Sequence, residues 1–370
     1  VLRATPAVGL LRLSRSPQTA GPIPATPEHL AANLPAVHEC WPAVEGGRLL
    51  VFVCCDRSYL YEYAVPLARS LERHSPGCHL HLHVINPDEG VRARTGALQQ
   101  ELSLTALTHT WEAFDLPGRT PNFARTYYAS VRFVRLYQLV CASGHGALLL
   151  DADALVRGDL GELRDILAAG GYDCAVHTRF WNRKRRERFF AAAFFACATP
   201  LGRAFLGEVA EYIATAIETG RARWFLDQRA LYRTWCAYRA PGVPLTLYQL
   251  PKRFADYEFD KASSVWTPRG AEKLANDTYL AARAPFADAH RRPARHAPVD
   301  ARPRAAVLLP RLDLPFKRAR GFIHLLHRLD ARRGHTARLR APWRDLAERV
   351  TAMLRQRGCE ATLSCAPCGR

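Results

Sequence analysis

The stretch GALLLDADALVRGDL, residues 146–160, decides how this chain is read. Three leucines run directly into two aspartates separated by one alanine, and small or apolar positions follow before the next acid. A short continuous apolar run suits a strand buried on both faces of a sheet. In an extended exit, residues two apart point to the same side, so Asp151 and Asp153 are expected to present both carboxylates to one spot. That spot lies beyond the C-terminal end of a buried strand, where open α/β sheets bind ligands. Two carboxylates so close repel each other, and a hard divalent cation relieves the repulsion by taking their oxygens. Mg2+ and Mn2+ complete their shells with substrate phosphates, so a metal-held diphosphate substrate is the natural expectation. Taken alone, the tripeptide is as well explained by acids that cap the next helix, and its neighbours must decide.

Working outward, RLLVFVCCD at 48–56 is another continuous apolar strand, and the helical pattern YEYAVPLARSLERH follows with Pro66 early in it or kinking it. HLHLHVIN, 79–86, alternates and reads as a second strand, and LTHTWEAF as a third. ARTYYASVRFVRLYQLV is an amphipathic helix leading into the Asp-x-Asp strand. Beyond it come a helix at GELRDILAAG, strands at YDCAVHT and RFFAAAFFACATP, and a long helix, LGRAFLGEVAEYIATAIETG, ended by glycine. Strands alternating with helices predict an α/β fold with a mostly parallel, Rossmann-like sheet covered on both faces.

Composition sets the frame. The 370 residues carry a formal charge of +18, with 48% hydrophobic and 23% charged residues, close to a globular average. No window reaches the ~18–20 apolar residues of a membrane span. AVGLLRL near the start is short and broken by arginine, so neither a signal anchor nor a secretory signal peptide is expected, and the setting predicted is cytoplasmic. From Asp288 onward, 19 Arg or Lys face 7 Asp or Glu, a surplus of 12. Such a tail suits phosphates, an anionic membrane surface or acidic polysaccharide, and equally a plain solvated face. Eleven cysteines, several inside apolar runs, suit buried free thiols. Cys359, Cys365 and Cys368 lack the fourth ligand a zinc site needs.

LLLDADALVRGDLGEL resembles the strand-and-metal motif of nucleotide-sugar glycosyltransferases of the GT-A fold, closest to family 8, the glycogenin and galactosyltransferase-like group. The agreement extends through Leu155, Val156, Gly158, Asp159, Leu160 and Leu163. VFVCCDRSYL resembles that family's opening nucleotide strand, which implies that Asp56 accepts a hydrogen bond from the base and Tyr59 stacks on it. TYYASVRFVRLYQLV is similar to a helix whose arginine contacts the donor; Arg132 aligns best, with Arg135 one turn on. RWFLDQRALY resembles the segment beside the sugar and acceptor, implying that Asp227 holds hydroxyls and that Gln228 lies near the reacting carbon. GFIHLLHRLDARRG resembles the segment supplying a third metal ligand and a diphosphate-binding lysine, which implies His324 as ligand and gives the phosphate contact to Arg332 and Arg333. Alanines stand where the family's donor-sugar strand carries Asn and Gly, so the sugar is left open. The basic loop WNRKRRERFF suits either an anionic acceptor or simple exposure.

The resemblance implies a GT-A-type α/β/α sandwich over residues 48–335, with an N-terminal extension at 1–47 and a basic, Cys-containing tail at 336–370. It implies transfer of a sugar, with retention, from a UDP-type donor to a hydroxyl on a saccharide or lipid-linked acceptor, with Mn2+ or Mg2+ held by Asp151, Asp153 and His324. Two other readings stand beside it. A haloacid-dehalogenase-like phosphatase would use the first Asp as nucleophile, with Lys184, Lys252, Lys261, Lys273 or Lys317 as its lysine. A non-catalytic protein would bind anionic partners through its basic C-terminal region, although no nucleic-acid fold signature is present.

Overall fold

In the computed structural model the described residues are 30, 34–114, 121–180, 182, 187–239, 245–270 and 272–288, all within the unit Val1–Ala289. The central sheet has eight strands: β1 (Val37–His38), β2 (Leu50–Asp56), β3 (His79–Ile85), β4 (Ala106–Glu112), β5 (Ala147–Leu150), β7 (Cys174–Thr178), β8 (Phe189–Ala196) and β9 (Leu247–Gln249). Their spatial order is β1-β4-β3-β2-β5-β8-β7-β9. A small ribbon, β6 (Leu155–Val156) against β10 (Val265–Trp266), stands apart.

The β2–β3, β2–β5, β3–β4 and β7–β9 pairings are parallel, as the alternation of strands and helices predicts. β8 departs from that pattern. It runs antiparallel to both β5 and β7, because the connection from β7 to β8, residues 179–188, is too short for a parallel crossover and the two strands form a hairpin. The C-terminal ends of β2, β3, β4, β5, β7 and β9 therefore meet at one edge, together with the start of β8.

Alternation within β2 divides the core in two. Leu50, Phe52 and Cys54 enter one cluster with α3 (Pro121–Ser143), α5 (Pro200–Glu218) and α6 (Leu226–Tyr238). Val51, Val53 and Cys55 enter the other with α1 (Val65–His74), α2 (Glu89–Glu101) and α4 (Gly161–Ala169). The result is a three-layer α/β/α arrangement. A helix after β2 is interrupted as Pro66 predicts: a turn of π-helix, Leu60–Ala64, precedes α1, and Pro66 occupies the first turn, where its missing N–H leaves nothing unpaired. The long α5 is capped by Thr199, which accepts from the Gly202 N–H, and is followed by Gly220 at φ 66°.

β3 is the second strand that the alternation predicts, and both of its faces are buried. The histidine face is buried as well as the leucine face, and His81 and His83 have no exposed surface. The covering comes partly from the chain before β2: Leu34 and Val44 are buried in the first core cluster, and Trp41 lies 5.5 Å from His81. Thr108 and Thr110 of β4 bridge the histidines. His79 and His81 contact Thr108 Oγ1 at 2.8 and 2.9 Å, and His81 and His83 contact Thr110 Oγ1 at 3.0 and 2.8 Å.

Candidate active site

β5 ends at the sheet edge, and the chain turns at once. The Asp151 N–H donates to the Ala192 carbonyl of β8 (2.9 Å), and the Ala154 N–H donates to the Asp151 carbonyl (2.9 Å). Residues 151–154 thus form a tight turn rather than the extended exit the sequence pattern predicts. The leucines fix the turn: Leu148 and Leu150 face one core cluster and Leu149 the other.

Each carboxylate of this turn is held by a different cation. Arg132, on the middle of α3, is buried and forms an ion pair with Asp151 through one terminal nitrogen. Its other terminal nitrogen reaches Asp227 Oδ2 at 3.0 Å and the Ala191 carbonyl at 3.2 Å. Lys273, on the short helix α7 (Glu272–Ala275), donates to Asp153 Oδ2 at 2.6 Å and to the Tyr59 hydroxyl at 2.5 Å. Its ammonium also stands 4.6 Å from the Tyr59 ring centre. Burial alone would drive Lys273 toward its neutral form, but Asp153 and Tyr59 outweigh it and raise its pKa, keeping it charged. Tyr279, on α8 (Asp277–Arg283), locks the turn from behind by donating to the Asp153 backbone carbonyl at 2.7 Å.

The two cations therefore connect Tyr59, Arg132, Asp151, Asp153 and Asp227, which the sequence places far apart. Asp56 ends β2 and caps the turn that carries Tyr59, accepting from the Tyr59 N–H at 2.8 Å. Asp227 is not the cap of α6. That place belongs to Phe225, whose left-handed φ of 67° is unusual for an aromatic residue, and Asp227 in the first turn is free to face Arg132. Its second oxygen accepts from the Gln228 N–H at 2.8 Å.

Arg135 does not join this group. It points to Glu112 and Gln138 instead and has no exposed surface. His324, Arg332, Arg333 and the cysteines at 359, 365 and 368 lie outside the described residues.

Sequence reasoning placed Lys273 only among lysines for a phosphatase. Its signal was rarity: in a chain with 52 basic residues it is one of five lysines. The contact itself joins residues 120 positions apart, and no local pattern announces it.

The donor chemistry fits a hard divalent cation. Asp151 and Asp153 offer carboxylate oxygens, and the Asp151 side chain keeps 28% of its surface exposed. Among the described residues no three His, Cys, Asp or Glu gather at one point, and the described oxygen donors here are these two carboxylates. Substrate phosphate and water commonly fill further places around Mg2+.

No protein-family model matches the chain, and no curated protein matches it. Solved structures do. The bifunctional glycosyltransferase WbbM, in its apo structure, aligns at 16% identity over 66% of this chain and 46% of its own, with a TM-score of 0.38. GlyE, a glycosyltransferase of Streptococcus pneumoniae TIGR4, aligns at 15% identity over 64% of this chain and 60% of its own, with a TM-score of 0.42. Mouse xyloside xylosyltransferase 1, apo form, aligns at 13% identity over 64% and 93%, with a TM-score of 0.36. This chain thus spans about half the length of WbbM and three-fifths of GlyE. The functional reading rests on the residues of the site.

Proposed function

We propose that this chain is a nucleotide-sugar glycosyltransferase that moves a sugar from a UDP-type donor to a hydroxyl acceptor. One observation carries the reading: Arg132 and Lys273 tie the carboxylates of a single Asp-x-Asp turn to Asp227 on one side and Tyr59 on the other, at the ligand-binding edge of the sheet. Tyr59 offers a ring beside the end of β2 for the base. Asp151 and Asp153 would hold Mn2+ or Mg2+, which when bound neutralises charge on the diphosphate. With the carboxylates so engaged, Arg132 and Lys273 are at hand to pair with phosphate oxygens, where a guanidinium and an ammonium stabilise the charge that develops on the leaving group. Asp227, held by Arg132, orients sugar hydroxyls. Gln228 follows it toward the reacting carbon, and no general base opposite the leaving group is required if configuration is retained. A phosphatase using Asp151 as nucleophile is less well served, since an ion pair with Arg132 reduces the reactivity of that carboxylate.

A thermal-shift series with UDP, UDP-sugars and other nucleotide sugars, with Mn2+ and with a chelator, tests the reading. Stabilisation by UDP-sugars that needs the metal, and that disappears in Asp151→Asn/Asp153→Asn, is expected. A flat response in the presence of metal would overturn it.

A further inference from the structure

Beyond the Asp-x-Asp turn, the same sheet edge continues past β8 to β7 and β9, and its character changes from acidic to basic. Arg179 follows β7, Lys252 follows β9, and Arg269 lies between β10 and α7, four residues before Lys273. These cations surround one aromatic pair, Phe190 and Tyr257, which meet edge to face at 5.4 Å. The Arg179 guanidinium lies 5.1 Å from the Phe190 ring centre and 5.7 Å from that of Tyr257. Arg269 lies 5.8 and 3.1 Å from the same two rings, and Lys252 lies 5.9 Å from Tyr257. Stacking on aromatic rings holds a guanidinium in a fixed plane and leaves its N–H fork to face a partner.

Carboxylates meet Lys252 and Arg179 unequally. Lys252 pairs with Glu258 and lies 3.7 Å from Asp256. Asp256 is fully buried and accepts from the N–H groups of Glu258 and Asp260 at 2.8 and 2.7 Å. Among the described residues Arg179 has no carboxylate partner, and its Nε is buried without an acceptor. A charged donor kept from water and unpaired is costly, and an anion arriving beside it recovers that cost. His177, at the end of β7, reports the same positive field. Burial first, then Arg179, Lys252 and Arg269, push its pKa below the usual range, leaving a neutral ring 3.0 Å from the Leu250 carbonyl.

The patch adjoins the site described above. Phe190 precedes Ala191, whose carbonyl accepts from Arg132, and lies two residues from Ala192, whose carbonyl accepts from Asp151. Two strand residues span about 7 Å. We propose that Arg179 and Arg269 form the acceptor subsite, and that the acceptor carries an oxyanion, a carboxylate or a phosphate, beside the hydroxyl that receives the sugar. The proposal rests on the glycosyltransferase reading. In the step it serves, the acceptor oxygen bonds to the anomeric carbon, the bond from that carbon to the diphosphate oxygen breaks, and the hydroxyl proton leaves with the diphosphate. The two guanidiniums hold the acceptor's anion and so aim its hydroxyl at the donor sugar.

Titration calorimetry on the full chain tests this with three probes: glucuronate, glucose 6-phosphate and neutral methyl glucoside, with UDP plus Mn2+ titrated separately. At least one charged sugar is expected to bind about tenfold or more tighter than methyl glucoside. Its advantage is expected to be lost in Arg269→Gln, an exposed position, and in Arg179→Gln, while UDP binding stays unchanged. The stronger of the two charged probes identifies the anion as carboxylate or phosphate. Equal binding of charged and neutral sugars, or wild-type affinity in Arg269→Gln, would overturn the subsite while UDP binding left the transferase reading intact. Charged sugars bound by a chain that does not bind UDP with Mn2+ would sink the transferase reading, and the acceptor role with it.

Discussion

Arg132 and Arg135 stand one turn apart on the same helix, both buried and both paired with acids, yet they belong to different parts of the molecule. Arg135 is closed in. It forms an ion pair with Glu112, donates to Gln138 at 2.8 Å and to the Pro35 carbonyl at 2.8 Å, and Glu112 is held further by the Tyr127 hydroxyl at 2.7 Å. Arg132 is paired with two acids at the sheet edge, one of them still partly open to solvent, and its Nε has no acceptor. Saturated, solvent-free pairs specify a fold, whereas a pair with an open partner and a spare donor is able to exchange that partner for a ligand. Substitutions around Arg135 should therefore act on stability and those around Arg132 on turnover.

The largest effect is expected at the open pair. On the proposed function, Asp151→Asn/Asp153→Asn should lower transfer from the donor by about a thousandfold, because the centre proposed to stabilise charge on the leaving diphosphate is removed. Its unfolding midpoint should fall less than that of a variant that strands a charge in the closed core, since the carboxamide oxygens keep the shape of the turn and still accept from Arg132 and Lys273. A folded double variant that transfers sugar normally would erase the contrast. At the closed pair the expected result is the reverse. Arg135→Leu leaves Glu112 ionised and unpaired in the core, and denaturant titration should show a loss of about 3–5 kcal/mol. Donor affinity in the protein that remains folded should be unchanged.

Much of this contrast was legible in the sequence, in unequal parts. The Asp-x-Asp strand was readable because a continuous apolar run ends there in two acids, whereas Asp56, Tyr59, Arg132 and Asp227 were singled out through the family resemblance, Arg132 lying mid-helix where no local pattern marks it. The direction of β8 was not readable from apolar periodicity, which carries no sign. The connection between β7 and β8, residues 179–188, is shorter than the crossover a parallel pair needs, a signal that the reading of alternating strands and helices passed over. The strand HLHLHVIN was readable, but the burial of its histidine face was not. Threonine hydroxyls of β4 meet both nitrogens of His81 and one each of His79 and His83, contacts across the sheet that let the strand be buried on both sides. Lys273 was named only among the lysines of the phosphatase reading, and its place in this site was not legible because it lies in tertiary contacts with Asp153 and Tyr59.

The histidine ladder gives the closed region a pH signature. Burial, with neighbouring histidines in the case of His81, pushes the pKa values of His81 and His83 below the ordinary 6.5. The unfolded chain then binds more protons than the folded one below pH 6.5. Stability from the neutral ladder is present above that value and is lost as pH falls, by up to about 1.4 kcal/mol per pH unit for each ring. Burial would raise Glu112, but Arg135, His83 and Tyr127 hold it down to about 2, so its contribution is lost in a second window as pH falls from 4.5 toward 2. Denaturant midpoints measured from pH 7.5 to 5.5 should hold down to about pH 6.5 and fall below it. A flat profile would mean that the ladder opens to solvent.

Lys273 offers the smallest and most discriminating test, because it sits between the two behaviours. It is mostly shielded, like Arg135, yet its partners Asp153 and Tyr59 both belong to the proposed donor site. If the lysine served only to neutralise Asp153, Lys273→Met would destabilise the fold and leave nucleotide affinity alone. If it also pairs with the donor's phosphates, UDP affinity should fall about tenfold, the worth of one charge-assisted contact, while the affinity for uridine, which has no phosphate, stays the same. The comparison of UDP with uridine separates the two roles within one variant, since a structural defect would weaken both ligands together.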